Sequence, residues 1–342
     1  MEPYTLGLFA NMYPACDGDL NGIFIWRMVR KLEDHGILVK KAVKQSTSVL
    51  GYLPFFGKSA FLCRDTSLDL LQAHYIPHSS IIPSILKRNR PLILKFHGDD
   101  ARIFPYKNSL NRRIILASLR RADHVLTASE EMRNGLISLG GDKDRITALS
   151  SGVDTIEYAP GDRDRSRKTL GLPDDGTLIV LYVGRIHPWK GIHEMIEAAR
   201  NLHDTLFIFI GPGTIPAHPD NCRFIGNIAH EKVRTWITSA DISMLPSYTE
   251  GISNFLMESL SCGVPAIASN AGGNPELVRD HETGLLVPVK NSQALTDAIA
   301  WMNAHESERK QMGKQGRTAM VSRYHDDLLI EQLIEIHTSL IG

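Results

Sequence analysis

Leu178-Ile179-Val180-Leu181-Tyr182-Val183-Gly184-Arg185-Ile186-His187-Pro188-Trp189-Lys190-Gly191 is the stretch whose reading decides the fold. Six apolar residues of strand length run without a polar interruption into a loop that carries two glycines and two permanent cations. Working outward, the same alternation of strand-length apolar runs and helix-period segments recurs nearly from end to end, which is the pattern of a parallel sheet covered by helices. Toward the C-terminus, strands are predicted at 206–210, 242–245 and 265–268. Toward the N-terminus they are predicted at 6–10, 91–97 and 124–128. Ile23, Trp26, Val29 and Leu32 have helical spacing that stops at Gly36, residues 114–121 have the composition of a helix, and Ser129 caps another that ends near Gly140. The expectation is an α/β chain of two doubly wound halves.

A length of 342 residues suits two domains, each with its own core. Around residues 155–176 the apolar pattern fails and the chain becomes charged, with Pro160, Gly161 and Pro173 among aspartates and arginines, so the interdomain linker is placed there. The expected division is a first domain over 1–160 and a second over 161–324. A last helix, about 325–342, carries Leu328, Leu329, Leu333, Ile336 and Leu340 at helical spacing and is expected to pack back on the first domain.

Composition excludes several classes. A hydrophobic fraction of 43% and a charged fraction of 22% are those of an ordinary globular protein. Lys+Arg and Asp+Glu both total 38, a balance that gives no reason to expect a nucleic-acid partner. Residues 1–155 carry 21 basic and 15 acidic side chains, leaving the first half at +6 and the remainder at −6. The basic clusters Lys87-Arg88-Asn89-Arg90, Arg112-Arg113 and Arg120-Arg121 either meet something anionic or are solvated helix faces. Cys16, Cys63, Cys222 and Cys262 are scattered singly, which fits a reducing compartment and indicates neither a zinc site nor a disulfide framework. With no signal-peptide pattern and no apolar run long enough to span a bilayer, a cytoplasmic location is expected.

Ligands of open parallel sheets bind outside the carboxyl ends of strands, so the loops that follow strands carry the chemistry. After Val183, Arg185 can hold phosphate oxygens bidentately, Lys190 acts as a point charge, and the helix start beyond Gly191 adds unsatisfied N–H groups. That set suits a diphosphate; the alternative is a pair of solvated loop cations. After Leu245 the chain reads Pro246-Ser247-Tyr248-Thr249-Glu250-Gly251-Ile252-Ser253-Asn254-Phe255-Leu256-Met257-Glu258. Gly251 permits close backbone approach, and Ile252, Ser253 and Asn254 offer N–H groups to an anion where a helix begins. Glu250 precedes that helix and Glu258 lies about two turns along it, so they do not share a proton. Either they clamp hydroxyls at different parts of a long ligand, or Glu250 is a helix N-terminal charge and Glu258 a surface residue.

These residues resemble the retaining glycosyltransferases of family 4. Glu250 and Glu258 match that family's two glutamates separated by seven residues, Gly184-Arg185 with Lys190-Gly191 match its basic loop, and Ala271-Gly272-Gly273-Asn274-Pro275-Glu276 followed by Gly284-Leu285-Leu286-Val287 matches its downstream signature. The match is strong over residues 145–290. In the first half it rests on Tyr13-Pro14 with Gly18 and Gly22, on Ala73-His74-Tyr75, on His97-Gly98-Asp99 and on Ser151-Gly152-Val153-Asp154, where Ser151 replaces an expected Asn.

The resemblance implies the GT-B fold, two Rossmann-like doubly wound parallel-sheet domains facing across a cleft. It implies that Arg185 and Lys190 neutralise the leaving diphosphate, that Glu258 binds the donor ribose, and that Glu250 contacts hydroxyls of the transferred sugar. Gly251, Ile252, Ser253 and Asn254 then bind phosphate and sugar, and Asn227 and Ile228, in Phe224-Ile225-Gly226-Asn227-Ile228, hold the nucleotide base through backbone groups. His97 resembles the histidine near the transferred sugar; its other reading is a hydrogen-bonded strand-end residue. Gly18, Gly22, His74 and Asp99 are the acceptor-side or cleft-loop candidates.

The expected activity is transfer of a hexose-like sugar from a UDP or GDP sugar to a glycan or lipid-linked acceptor, with enzymes that build cell-surface polysaccharides as the subgroup. The alternatives are a GT-B epimerase or hydrolase acting on the nucleotide sugar, and a nucleotide-sugar-binding protein without catalysis. Preorganised cations and backbone donors stabilise a leaving diphosphate electrostatically, so no metal and no cofactor are expected. Asp17-Gly18-Asp19 and Asp99-Asp100 are read as loop acids, and Pro77 between His74 and His78 breaks the helical geometry a zinc pair needs. The apolar segment 52–61, with Leu53-Pro54-Phe55-Phe56, is either a loop giving peripheral membrane contact at the inner face or a packing surface for a neighbouring helix.

Overall fold

A computed structural model describes residues 4–14, 21–45 and 48–342. The chain divides into two compact units, Met1–Ser151 with Asp327–Gly342, and Gly152–Asp326. The loop Asp17-Gly18-Asp19, with its candidate Gly18, lies outside the described residues.

In the first unit the strands are β1 (Thr5–Ala10), β2 (Leu38–Val43), β3 (Leu70–His74), β4 (Leu92–Lys95), β5 (His124–Thr127) and β6 (Ile146–Ala148). They form a parallel sheet in the order β2-β1-β3-β4-β5-β6. The central strands are buried along their whole length, as strands covered on both faces must be. β2 is the edge, and its exposed Leu38 and Lys41 alternate with buried Val39 and Ala42.

The second unit repeats the design. Its strands are β7 (Leu178–Val183), β8 (Thr205–Ile210), β9 (Cys222–Gly226), β10 (Ile242–Leu245), β11 (Ala266–Ser269) and β12 (Gly284–Val287), in the order β12-β11-β10-β7-β8-β9. One continuous core runs through it, from Leu178–Leu181 on β7 and Phe207–Ile210 on β8 to Phe255, Leu256 and Leu260 on the helix Asn254–Ser261. That helix buries every residue from 255 to 261, so it lies inside the unit rather than on its face.

Helix ends follow the predicted chemistry. Ser129 Oγ accepts from Met132 N at 3.3 Å to start Glu130–Leu139, and Gly140, at φ 119°, ends it. The C-terminal helix runs Asp326–Ile341 and its residues 327–342 belong to the first unit. Its buried face is Leu329, Ile330, Leu333, Ile334 and His337, whereas Leu328, assigned to that face from spacing, is 38% exposed. The difference comes from His337, a polar residue whose place on the buried face an apolar count passes over. The segment 52–61 is a helix rather than a loop, Tyr52–Leu62, which buries Phe55 and Ser59 and exposes Leu53 and Phe61.

Residues 155–176 are not a linker. Tyr158 is fully buried in the second core, and Arg163–Leu170 is a helix capped by Asp162, whose carboxylate accepts from Arg165 N at 3.0 Å. Arg167, 1% exposed, donates to Asp241 Oδ2 at 2.6 Å and to the carbonyl of Ser239 at 3.0 Å. Asp241 Oδ2 also accepts from Ile179 N at 2.8 Å, so the pair pins this helix to the start of β7. One charge of this segment, Arg167, points inward while its neighbours Arg163, Asp164, Arg165 and Lys168 stay exposed.

Removing one partner of a buried pair strands the other charge, which typically costs ~3–5 kcal/mol. Arg163 keeps a contact with Asp241 Oδ1 at 3.0 Å, so Arg167→Met is expected to lower the unfolding free energy read from urea titration by less than that full amount, and adding Asp241→Asn, which keeps an acceptor for Ile179, is expected to recover part of it.

Candidate functional site

In the second unit the chain leaves β7 toward β8 and β9 and then returns to the other side of β7 with β10. The carboxyl ends of β7 and β10 therefore flank the point where strand order reverses, the place in an open α/β sheet where two loops diverge and leave a crevice for a ligand. The loop after β7 carries Arg185 and Lys190, and the loop after β10 carries Glu250 to Ser253.

The two loops are tied together. Lys190 Nζ donates to Glu250 Oε1, and Tyr248 N donates to the carbonyl of Trp189 at 2.8 Å. Gly191 sits at φ 74°, and a Cβ there would lie 2.4 Å from the carbonyl oxygen of Pro246, so only glycine lets the two backbones approach so closely. The third motif joins from β11: Gly273 N donates to the carbonyl of Glu250 at 3.2 Å, and Ser269 Oγ donates to the carbonyl of Ser247. Asn274, fully buried, donates to Ser269 Oγ at 3.1 Å. Three segments distant in sequence thus hold one carboxylate in place.

The other residues singled out in this unit's sequence take the following places. Ser253 is the N-cap of the helix Asn254–Ser261, its Oγ accepting from Leu256 N at 3.3 Å, while Ile252 packs against the core with its backbone left in the loop. Glu258 is 8% exposed, which removes the reading of a surface residue. Arg185 is exposed, and its carbonyl accepts from Tyr182 OH at 2.7 Å, which fixes the turn after β7. Asn227 and Ile228 follow the end of β9, where Gly226 turns the chain at φ 79°.

In the first unit, His97 follows β4 and is enclosed by aromatic rings: Tyr75 at 4.5 Å between centroids, Phe24 at 4.9 Å and His74 at 5.1 Å. His74 is the last residue of β3, 1% exposed, and its Nδ1 lies 3.0 Å from His97 Nε2. Gly22, at φ 75° and with Met12 O 2.6 Å from where a Cβ would be, starts the helix Ile23–Asp34. Asp99 is exposed at the first turn of Asp99–Arg102. The neighbouring Asp100 is the residue that shapes the loop: its carboxylate accepts from the backbone N–H of His97, Gly98 and Ile76 at 3.0, 2.8 and 3.2 Å.

Three groups escaped the sequence reading. Lys95 is a buried cation at the end of an apolar strand, donating to the carbonyl of Leu149, and with His74 and His97 it lines a small recess. His337 and Gln72 are buried beside it. Burial pushes the Lys95 ammonium down to about 7, and burial with the charge of Lys95 holds His74, His97 and His337 below the usual imidazole range, His337 at about 3. Burial raises Asp100 to about 6.

Groups with depressed folded pKa values bind fewer protons folded than unfolded when they are bases, so stability is lost as pH falls. Between pH 8.5 and 7 the Lys95 deficit is expected to lower stability by up to about 1.4 kcal/mol per pH unit, a slope that Lys95→Met removes when urea midpoints of the two proteins are compared. Below pH 6.5 the three histidines extend the decline, and Asp100, which holds its proton better folded, opposes it only in part.

Residues 162–319 match the family described as glycosyl transferases group 1, and residues 25–157 match glycosyltransferase family 4. The chain is 30% identical over 241 residues to TuaC of Bacillus subtilis (strain 168), a glycosyltransferase assigned to teichuronic acid biosynthesis, covering 69% of this chain and 61% of that protein. It is 30% identical over 283 residues to a D-inositol 3-phosphate glycosyltransferase of Kribbella flavida, covering 72% of this chain and 65% of that one. The matched length is thus just under two thirds of either relative. Among solved structures, sucrose-phosphate synthase from Thermosynechococcus elongatus superposes with a TM-score of 0.83 at 20% identity over 99% of both chains. Anabaena HepE in complex with UDP superposes at 0.81 and 21% identity, over 98% of this chain and 100% of that one. Those likenesses establish the GT-B fold, and with two family models matched in succession, the chain belongs to the group 1, family 4 glycosyltransferases.

Proposed function

We propose that this protein transfers a hexose-like sugar from a nucleotide-diphosphate sugar, UDP or GDP, to a glycan or lipid-linked acceptor with retention of anomeric configuration. The observation that carries the proposal is the Lys190–Glu250 ion pair at the point of strand reversal, held by Gly191, Trp189 and Gly273. A lysine ammonium has three donors; one on Glu250 leaves two for phosphate oxygens. Arg185 and the N–H groups at residues 251–254 complete a positive surround for a leaving diphosphate, whose charge grows in the transition state. Glu250 then meets hydroxyls of the sugar and Glu258 those of the ribose, with the base at Asn227 and Ile228. His97 contributes a neutral imidazole to the transferred sugar.

Cations and backbone donors supply the electrostatic stabilisation in this scheme, so chelation is expected to leave turnover unchanged. HepE has been crystallised with UDP and with UDP-glucose, and TuaC is assigned to teichuronic acid biosynthesis, which support the donor and acceptor classes. No helix among the described residues is long and apolar enough to cross a membrane. The exposed Val49, Leu50, Leu53 and Phe61 beside Lys58 support peripheral contact with the bilayer that carries a lipid-linked acceptor.

Lys190→Ala and Glu258→Gln are expected to stay folded and to lose roughly 10²–10³ in kcat/KM, with weakened calorimetric binding of the nucleotide. Normal activity in both sinks the assignment. Donor turnover with and without candidate glycan acceptors separates transfer from hydrolysis or epimerisation, and binding without turnover marks a non-catalytic protein. Thermal stabilisation across UDP- and GDP-sugars identifies the donor.

A further inference from the structure

We propose that Gln72 and His337 are positioning residues that fix which nitrogen of His97 carries the proton, through one continuous hydrogen-bonded chain from Tyr4, just before β1, to His97. The inference rests on the proposed contact of His97 with the transferred sugar. Four links are present in the first unit: Tyr4 OH to His337 Nδ1 at 2.6 Å, His337 Nε2 to Gln72 Oε1 at 2.7 Å, Gln72 Nε2 to His74 Nε2 at 2.7 Å, and His74 Nδ1 to His97 Nε2 at 3.0 Å.

The direction of the chain follows from what each group can do. Gln72 Nε2 faces two acceptors, His74 Nε2 and Met28 Sδ, the latter at 3.6 Å. The reversed amide would set a carbonyl oxygen against the thioether sulfur, so Met28 selects the orientation. With the amide set, Oε1 can only accept, and His337 must carry its proton on Nε2. His337 Nδ1 is then an acceptor, which the phenol of Tyr4 satisfies as donor. On the other side, His74 Nε2 accepts from the amide, so its proton is on Nδ1 and is donated to His97 Nε2. His97 is left as the Nδ1–H tautomer, with that N–H as its ring donor for a ligand oxygen.

A chain of this kind has one satisfied arrangement only while every ring is neutral, and Gln72, His74 and His337 are at most 1% exposed, an environment that disfavours imidazolium. Histidine in water favours no tautomer strongly enough to present one donor every time. A fixed chain removes that ambiguity before the ligand arrives, as the carboxylate of a catalytic triad does for its imidazole. It also gives the C-terminal helix a part in the site, since His337 is its contribution to the chain.

The test is a long-range proton–nitrogen correlation spectrum of the full chain labelled with ¹⁵N-histidine, at pH 7.5, assigned with His97→Asn and His337→Gln. The expected result is His97 and His74 as Nδ1–H and His337 as Nε2–H tautomers. In Gln72→Leu, His97 is expected to become a mixture of tautomers, with kcat lowered about tenfold or more and donor KM changed less than twofold. A wild-type His97 in the Nε2–H form overturns the proposal, as does Gln72→Leu with His97 unchanged. The wild-type spectrum alone tests the direction should Gln72→Leu fail to fold. If the tautomers are as expected and His97→Asn keeps full turnover, the chain stands and the sugar contact of His97 falls.

Discussion

Strand order in the second unit reverses beside β7, and the candidate site depends on that reversal. Because β8 and β10 lie on opposite sides of β7, the loops that leave β7 and β10 separate instead of covering one another, and the ends of two adjacent strands stay open. Lys190 and Glu250, sixty positions apart, then meet over that opening. The lysine–glutamate pair is half-buried, and the desolvation of its two charges offsets much of their attraction, so it contributes little net stability. Its value here lies in holding a carboxylate and an ammonium at one distance from the same crevice. Glycine at 191 and the buried Asn274–Ser269 contact set that distance through the backbone, so the pair does not depend on side-chain rotamers alone.

The first unit builds its candidate residue by another route. His97 stands in a cage of Tyr75, Phe24 and His74, over a loop whose N–H groups all converge on Asp100. Where the second unit uses full charges near water, the first uses neutral rings and amides in the interior. Burying so many polar groups is tolerable because each has a partner, and a chain in which every donor meets an acceptor is rigid for the same reason.

The loops were legible in the sequence because they are local. Gly184-Arg185, Lys190-Gly191 and the Glu250–Glu258 segment carry their meaning in contiguous residues, and the strands before them are short, mostly apolar runs, β7 without any polar residue and β10 with Ser243 alone. Ser129 and Gly140 marked a helix by cap chemistry alone. Apart from the helix Tyr52–Leu62, the misreadings of Arg167, β3 and the last helix share one cause: a polar residue whose partner lies far along the chain. Arg167 looked like part of a solvated linker, and Asp241 and the Ser239 carbonyl, 74 and 72 positions away, make it interior. β3 escaped notice because Gln72 and His74 interrupt its apolar run, and His337 shifted the buried face of the last helix for the same reason. Spacing reports hydrophobicity, and a satisfied buried polar group is invisible to it.

That blind spot coincides with function for a physical reason. A buried polar side chain contributes little net stability once its desolvation is counted, about 1 kcal/mol per hydrogen bond at best, so an apolar substitute of the same shape would serve the core nearly as well. Gln72, His74 and His337 cluster where such substitutes would be easiest, between two sheet strands and a packed helix. What they supply that leucine cannot is direction, a donor at one end fixed by an acceptor at the other. The Arg167–Asp241 pair supplies direction too, but it terminates on the backbone of Ile179 and Ser239 and is spent within the fold. The chain through Gln72 ends on His97, which is partly exposed, and there the fixed donor remains available to a ligand.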